Sequence, residues 1–234
     1  MNNWQVDLFT GLENANGMQG VLDATIKVIA PIGFEFCGFR SLIPLPLATP
    51  KIMTLYTAED KTYERERNGD YLETPMSRHC ARSMTPFSWE GTTEDAVFKE
   101  IPDLCEEYYS SGHRGGWAQS LVERKNMYSV FYADSSDSLT KRYLDNVDFR
   151  MQWVATAVLS RMNKVRSDTD IQLSLREREV LRWTGDGKTA DQIAEILMLS
   201  PSTINFHLRK AMQKLDAPNK TAAVVRAIFL NLLF

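Results

Sequence analysis

The chain has 234 residues, 44% of them hydrophobic and 24% charged, which is long enough for two domains that each bury a core. Its formal net charge of −3 argues against a nucleic-acid surface spread over the whole molecule, and no stretch reaches the roughly 18 apolar residues that span a bilayer. Three widely separated cysteines, Cys37, Cys80 and Cys105, are odd in number and fit reduced thiols better than a disulfide frame.

The polar start MetAsnAsnTrpGlnValAsp lacks a basic segment followed by an apolar run, so no signal peptide is expected and the expected location is the cytoplasm. A helix through Val21, Leu22, Ile26 and Ile29 then leads across AlaProIleGly into an alternating strand at 34–40. Further strands are expected at 51–56, 87–89, 117–122 and 127–132, with a helical pattern at 94–110 between them. A long helix follows from Leu139 to about Lys164, carrying Tyr143, Val147, Met151, Val154 and Val158 at helical spacing. Strands with helices on both faces predict an α-β-α sandwich over residues 1–165, the first part of an α+β chain. ArgSerAspThrAsp at 166–170 is polar and reads as linker, so that 166–172 joins the sandwich to a second domain at 173–234.

That second domain reads as all-helical. Ser174 with Glu177, and Thr189 with Gln192, are capping boxes opening two helices, and GlyAspGly at 185–187 stops the first. Leu199 and Ser200 make a turn, Ser200 is a candidate N-cap, and Pro201 takes the first helical position, where its missing N–H costs nothing. In the third helix Ile204, Leu208, Ala211 and Leu215 share one face. The opposite arc carries Ser202, Asn205, Phe206, Arg209 and Gln213, with Thr203, Lys210 and Lys214 on its shoulder. A DNA groove asks for that chemistry: Arg and Lys pair with guanine edges or phosphates, Asn pairs with adenine, and an aromatic ring meets a thymine methyl. A fourth helix at 220–231 completes a helix-turn-helix module with its reading helix third, and Val225, Ala222 and Phe229 are its candidate exposed residues. Candidate DNA contacts are Thr189, Ser200, Ser202, Thr203, Asn205, Phe206, Arg209, Lys210, Lys214 and Lys220. Residues 171–234 hold nine Lys and Arg against six Asp and Glu, so the basic balance sits in this domain. It is small enough that useful affinity needs two copies on one site.

The run LeuSerLeuArgGluArgGluValLeuArgTrpThrGlyAspGlyLysThr, followed by GlnIleAlaGluIleLeu, SerThrIleAsnPheHis and LysLeuAspAlaProAsnLysThr, resembles the DNA-binding domain of the LuxR family of bacterial regulators. Glu177, Leu181 and Gly187 match residues that typify it. GlyPheGluPheCysGlyPhe, the ProLeuProLeu run with ProLys at 50–51, ThrProPheSerTrp at 85–89 and GlyHisArgGlyGlyTrp at 112–117 are similar to that family's signal-binding domain. No CysXaaXaaCys spacing exists and His79, His113 and His207 lie far apart in sequence, so no metal site is expected. The resemblance implies a transcription regulator rather than an enzyme, without a resident cofactor. It implies a small-molecule signal, generally an acyl-homoserine lactone, and a homodimer on a two-fold double-stranded DNA site.

The sequence departs from the family at the expected ligand signature. Aligning Pro75 with the family's proline puts Ala58, Thr62, Glu66 and Thr74 where Tyr, Trp, Tyr and Asp are usual. In the family the indole N–H of that Trp usually holds the lactone carbonyl and the Asp accepts the ligand's amide N–H; Thr74 brings no charge to the same task. Candidate ligand contacts are Tyr56, Tyr63, Tyr71, Thr74 and Trp89, with Trp117 a further aromatic able to stack on a flat ligand and Trp89 equally able to be core. The expectation is a weak, altered or absent lactone response, with a pocket that either takes a different molecule or is filled by side chains. The alternative is an anti-activator that forms inactive heterodimers with a related regulator. His79 and Cys80 are adjacent, but neighbouring helical residues point about 100° apart and make a poor base and nucleophile pair.

Overall fold

Period-two alternation organises the first part of the chain. The structure, a computed structural model, describes residues 3–43, 51–58, 61–124, 127–167 and 171–233. It falls into two units, Met1–Arg166 and Ser167–Phe234. The ProLeuProLeu run and residues 168–170 of the expected linker lie outside the described residues.

In the first unit β1 (Phe36–Ile43), β2 (Lys51–Tyr56), β3 (Phe87–Trp89), β4 (Gly116–Arg124) and β5 (Met127–Asp134) form one antiparallel sheet in the order β2-β1-β5-β4-β3. Its helices are α1 (Trp4–Glu13), α2 (Gly17–Ile29), α3 (Lys61–Asn68), α4 (Pro75–Cys80), α5 (Ala96–Glu100), α6 (Pro102–Ser110) and α7 (Lys141–Ser167). Successive strand residues point to opposite faces. Cys37, Phe39, Trp117, Phe131 and Ala133 therefore pack with Leu8, Leu22, Ile29, Met151 and Val158 of α1, α2 and α7. Tyr56, Trp89, Ala118, Val130 and Tyr132 turn the other way, toward Cys80, Phe98 and Tyr108 of α4, α5 and α6. Helices thus cover both faces, and the unit is the α-β-α sandwich that the strand and helix pattern predicts.

Three local differences have physical causes. The helix expected over 94–110 is two helices, because Pro102 lacks an N–H and biases the preceding residue away from helical geometry; Ile101 has φ −137°. Helix α1 escapes the periodicity because only Leu8 and Leu12 are buried along it, too thin a stripe to read. Helix α4 is short, but Thr74 caps it and Pro75 opens it, the same signature as Ser200 and Pro201.

The second unit contains α8 (Leu175–Gly185), α9 (Ala190–Leu197), α10 (Pro201–Lys214) and α11 (Lys220–Phe229). Both expected capping boxes form, and Asn219 caps α11 through its bond from the Ala222 amide. Gly187 sits at φ +80° after α8, in the left-handed region that favours glycine. Between α9 and α10 it is Met198, at φ 54° and 92% exposed, that takes the left-handed turn residue, one position before the expected Leu199 and Ser200. Val180, Leu181, Ile193, Ile204, Leu208, Ala211, Leu215, Ala223 and Ala227 make one core.

Candidate functional site

The exposed face of α10 is built by its buried one. Ile204, Leu208, Ala211 and Leu215 hold the helix against α8, α9 and α11, which leaves Ser202, Asn205, Phe206, Arg209 and Lys210 in solvent. Ser200 caps the helix by accepting the Thr203 amide at 3.1 Å, and its hydroxyl also lies 2.7 Å from Ser202 and 2.8 Å from Thr203. Hydroxyls therefore cluster at a helix N-terminus, where the amide dipoles favour a phosphate. Phe206 is 51% exposed, a poor place for a ring in water; the centre of the His207 ring, set edge-on, lies 5.6 Å from its own and the Lys210 ammonium 6.0 Å from it. Arg209 folds back along the helix, its Nε donating to the Asn205 carbonyl at 3.3 Å. Lys220, exposed at the start of α11, lines a shallow groove with Asn205, Arg209 and Asn219. Thr189 is exposed at the start of α9, its hydroxyl accepting the Gln192 amide at 3.3 Å.

One expected contact has another job. The Lys214 ammonium donates to the Glu177 carboxylate at 2.8 Å and to the Gln172 carbonyl at 3.0 Å, so it ties α10 to the start of α8 while its side chain remains 40% exposed. Burial pushes the Glu177 carboxyl up, but the bonds from Lys214 and the Ser174 amide outweigh it and leave the group below its ordinary value. On α11, Ala222, Val225 and Phe229 are half-buried rather than exposed.

In the first unit, α3 to α6 and the sheet surround a narrow cavity of about 60 Å³. Tyr56, Tyr63, Tyr71, Thr74 and Trp89, drawn from β2, α3, β3 and the segment before α4, all line it. Trp117 does not. It pairs with Ser88 across β3 and β4 and so points to the opposite face from Trp89, where it is fully buried and donates its indole N–H to Asp148 at 2.8 Å. Trp89 stands opposite Gly116, and a Cβ on residue 116 would come within 2.1 Å of its ring, so that glycine makes room for the indole.

The wall also contains residues that sequence reasoning missed or treated only as mismatches. Asp134, at the end of β5, accepts the Tyr56 hydroxyl at 2.8 Å and the Tyr108 hydroxyl. Trp89 donates to the Tyr108 oxygen at 3.3 Å and to the Arg114 carbonyl at 3.2 Å. Tyr132 lies across Gly38 and stacks on Tyr56 with ring centres 5.7 Å apart. Burial first, and Asp134 second, push the Tyr56 and Tyr108 hydroxyls well above their ordinary range, so both remain protonated donors. Glu66, 3% exposed, is ion-paired at 3.1 Å with Arg40, 2% exposed, which also donates to the Ser77 hydroxyl at 2.7 Å. Thr74 is occupied by its own helix: its hydroxyl accepts the Ser77 amide at 3.2 Å and donates to the Tyr71 carbonyl at 3.0 Å. No residue type at 66 or 74 announces this arrangement, although Thr74 followed by Pro75 does announce the cap.

His79 is half-buried and bonded to Thr85, whereas the buried Cys80 thiol is pushed up to about 12 by burial, with Arg40 opposing. A thiol held protonated is no nucleophile. Cys37, Cys80 and Cys105 are all free and buried. No helix among the described residues is long and apolar enough to cross a membrane.

Residues 171–227 match the family description "Bacterial regulatory proteins, luxR family", and residues 18–162 match "Autoinducer binding domain". The transcriptional activator protein AnoR of Acinetobacter nosocomialis is 31% identical over 100% of both chains. The transcriptional repressor ThaA of Burkholderia thailandensis is 29% identical over 90% of each. A crystal structure of Escherichia coli SdiA covers 99% of this chain and 98% of its own at a TM-score of 0.80 and 22% identity, a likeness of fold. With both halves matched, the chain belongs to the LuxR family of DNA-binding transcriptional regulators, which are not enzymes.

Proposed function

We propose that the chain regulates transcription as a homodimer on a two-fold DNA site, under control of a small molecule other than an ordinary acyl-homoserine lactone. The observation that carries the DNA half is the solvent-facing row Asn205, Phe206, Arg209 and Lys210 on a helix capped by Ser200. In this reading Asn205, Phe206 and Arg209 meet base edges, while Ser200, Ser202, Thr203, Lys210 and Lys220 meet phosphates. Thr189, exposed at the start of α9, adds a further phosphate contact. Selection from randomised duplexes is expected to return a symmetric site. On that site Arg209→Ala weakens binding by about 1–3 kcal/mol and relaxes preference at one position, whereas Lys220→Ala weakens binding evenly and lowers the salt slope. Unchanged binding by both variants would refute the assignment.

The sensor and head divide near residues 166–172 in this proposal, and the sensor carries the dimer contact. Along α7, Phe149, Trp153, Thr156 and Ser160 recur at intervals of four, three and four on the exposed face, with Phe149 75% and Trp153 44% exposed. Phe9 of α1 meets Trp153 edge-on at 5.9 Å and is itself 43% exposed, so the patch spans two helices. A second copy is the occupant that the two-fold site and the small basic balance of each head call for. Replacing Phe149 and Trp153 together by Glu is expected to give a monomer in sedimentation velocity and to abolish binding to the two-fold site. A dimer that survives the double change would place the contact elsewhere.

The altered ligand response rests on position 62, a threonine without an indole donor, and on Thr74, whose hydroxyl serves the α4 cap. It also rests on Glu66, which brings a carboxylate to the wall.

A further inference from the structure

A cavity of about 60 Å³ is smaller than the roughly 150 Å³ void that admits benzene, so a signal enters this one only if part of the wall moves. The sheet is held by its ladder of backbone bonds, and α4, α5 and α6 each bury apolar side chains against it, among them Cys80, Phe98 and Tyr108. Displacing any of these elements would bring apolar surface into water. Helix α3 is built differently. Its sequence, LysThrTyrGluArgGluArgAsn, has one ring and no Val, Leu, Ile or Met, and so no apolar stripe. The residues it gives to the cavity are Tyr63, which is half-buried, and Glu66, which is buried. Glu66 is held by Arg40 of β1, while Arg65 pairs with Glu107 of α6 and lies 5.8 Å from the centre of the Tyr71 ring.

Ion pairs and aliphatic contacts differ in what their separation costs. Parted charges are hydrated, and water returns much of the attraction they lose. Arg65 and Glu107, 34% and 25% exposed, are partly hydrated even when paired. Just past α3, Gly69 stands at φ +86° with its amide bonded to the Glu66 carbonyl at 3.1 Å, a turn free of any Cβ. We propose that α3 is the lid of the cavity, latched by Arg40 with Glu66 on its inner side and by Arg65 with Glu107 on its outer side, and hinged at Gly69. A signal enters when both pairs part. The proposal rests on the reading of this cavity as the signal site. It makes entry sensitive to ionic strength, because the outer pair is open to screening, whose length falls to about 3 Å in molar salt.

Amide hydrogen exchange of the full-length chain reads the lid without any ligand. Peptides from α3 are expected to exchange at least about tenfold faster than those from β1 and β5. Arg65→Gln and Glu107→Gln should each speed α3 a further severalfold and leave the sheet unchanged. Molar sodium chloride should do the same to the original chain and add little to either variant. Entry is read by stopped-flow fluorescence of N-phenyl-1-naphthylamine, which brightens in apolar surroundings. Val97→Phe, which fills the cavity from α5, is the control for where the probe binds. The association rate should rise with salt and in both variants by the factor seen in α3 exchange. Exchange of α3 that tracks the sheet, or that ignores salt and both variants, overturns the lid. A probe that binds in the cavity at a rate indifferent to salt and to both variants also overturns it, and leaves the signal-site reading standing. If α3 opens as expected but no probe signal is lost in Val97→Phe, the signal-site reading falls and the lid's role in entry falls with it.

Discussion

Replacing Glu66 by Ala is expected to destabilise the sensor unit by about 3–5 kcal/mol, a large share of the roughly 5–15 kcal/mol that holds a domain together. The reason is the partner left behind. Arg40 is 2% exposed and its guanidinium does not give up its proton under ordinary conditions, so losing Glu66 strands a full positive charge behind the cavity wall. Arg40→Met is expected to cost less, because the orphaned carboxyl can take up a proton. Burial already pushes Glu66 up against the opposing pull of Arg40, and removing Arg40 leaves burial to act alone. A carboxyl whose folded value lies above its unfolded one favours folding at low pH, and that advantage fades as pH rises through the folded value. The Arg40→Met chain should therefore be most stable in mild acid and lose stability toward neutrality, opposite to the usual behaviour of a paired carboxylate. The double change Arg40→Met with Glu66→Leu is expected to recover most of the loss, since apolar side chains of similar volume commonly replace a buried ion pair without penalty. Urea unfolding of the full-length chain, followed by tryptophan fluorescence from Trp89 and Trp117, gives the comparison. A Glu66→Ala chain as stable as the original would mean that water reaches Arg40 and that the wall is not closed.

What could be read in advance follows the range of the interaction concerned. In the head the decisive signals are local: Ser174 to Glu177, Thr189 to Gln192 and Ser200 to Thr203 each close within one helical turn, so the residues that make a cap stand together in the sequence. The exposed row on α10 follows from the same turn geometry, since burying Ile204, Leu208 and Ala211 fixes what lies opposite. Lys214 eluded that logic because its partner Glu177 lies 37 residues earlier on another helix. In the sensor, strand alternation was legible but register was not. Trp89 and Trp117 look alike as aromatic strand residues, and only the pairing of Ser88 with Trp117 sends one into the cavity and the other into the opposite core. The cavity's polar wall was least legible, because Asp134 meets Tyr56 across 78 residues and Arg40 meets Glu66 across 26. Nothing in the local pattern of either carboxylate distinguishes it from a solvated one.

Glu177 carries the second large expectation, because one carboxylate both caps α8 and holds α10. It caps α8 by accepting the Ser174 amide at 2.7 Å and anchors α10 by accepting the Lys214 ammonium at 2.8 Å, while its side chain is only 6% exposed. Glu177→Ala removes the reciprocal half of the capping box and the ion pair together, at an expected cost of about 2 kcal/mol; Lys214, 40% exposed and partly screened by solvent, contributes the smaller part. In amide hydrogen exchange of the full-length chain, protection of peptides from α8 and α10 should fall by about 30-fold. The pH dependence has a definite sign. The folded carboxyl lies below its ordinary value of 4.5, so its stabilising effect is complete above that pH and is lost as pH falls through the lower folded value. Protection of α8 and α10 should thus decline in acid below about pH 4.5 in the original chain, and Glu177→Gln should flatten that decline. An acid decline of equal steepness in both chains would assign it to other carboxylates. With α10 as the proposed reading helix, the same loss is expected to weaken DNA binding through helix placement alone, with Asn205, Phe206 and Arg209 untouched.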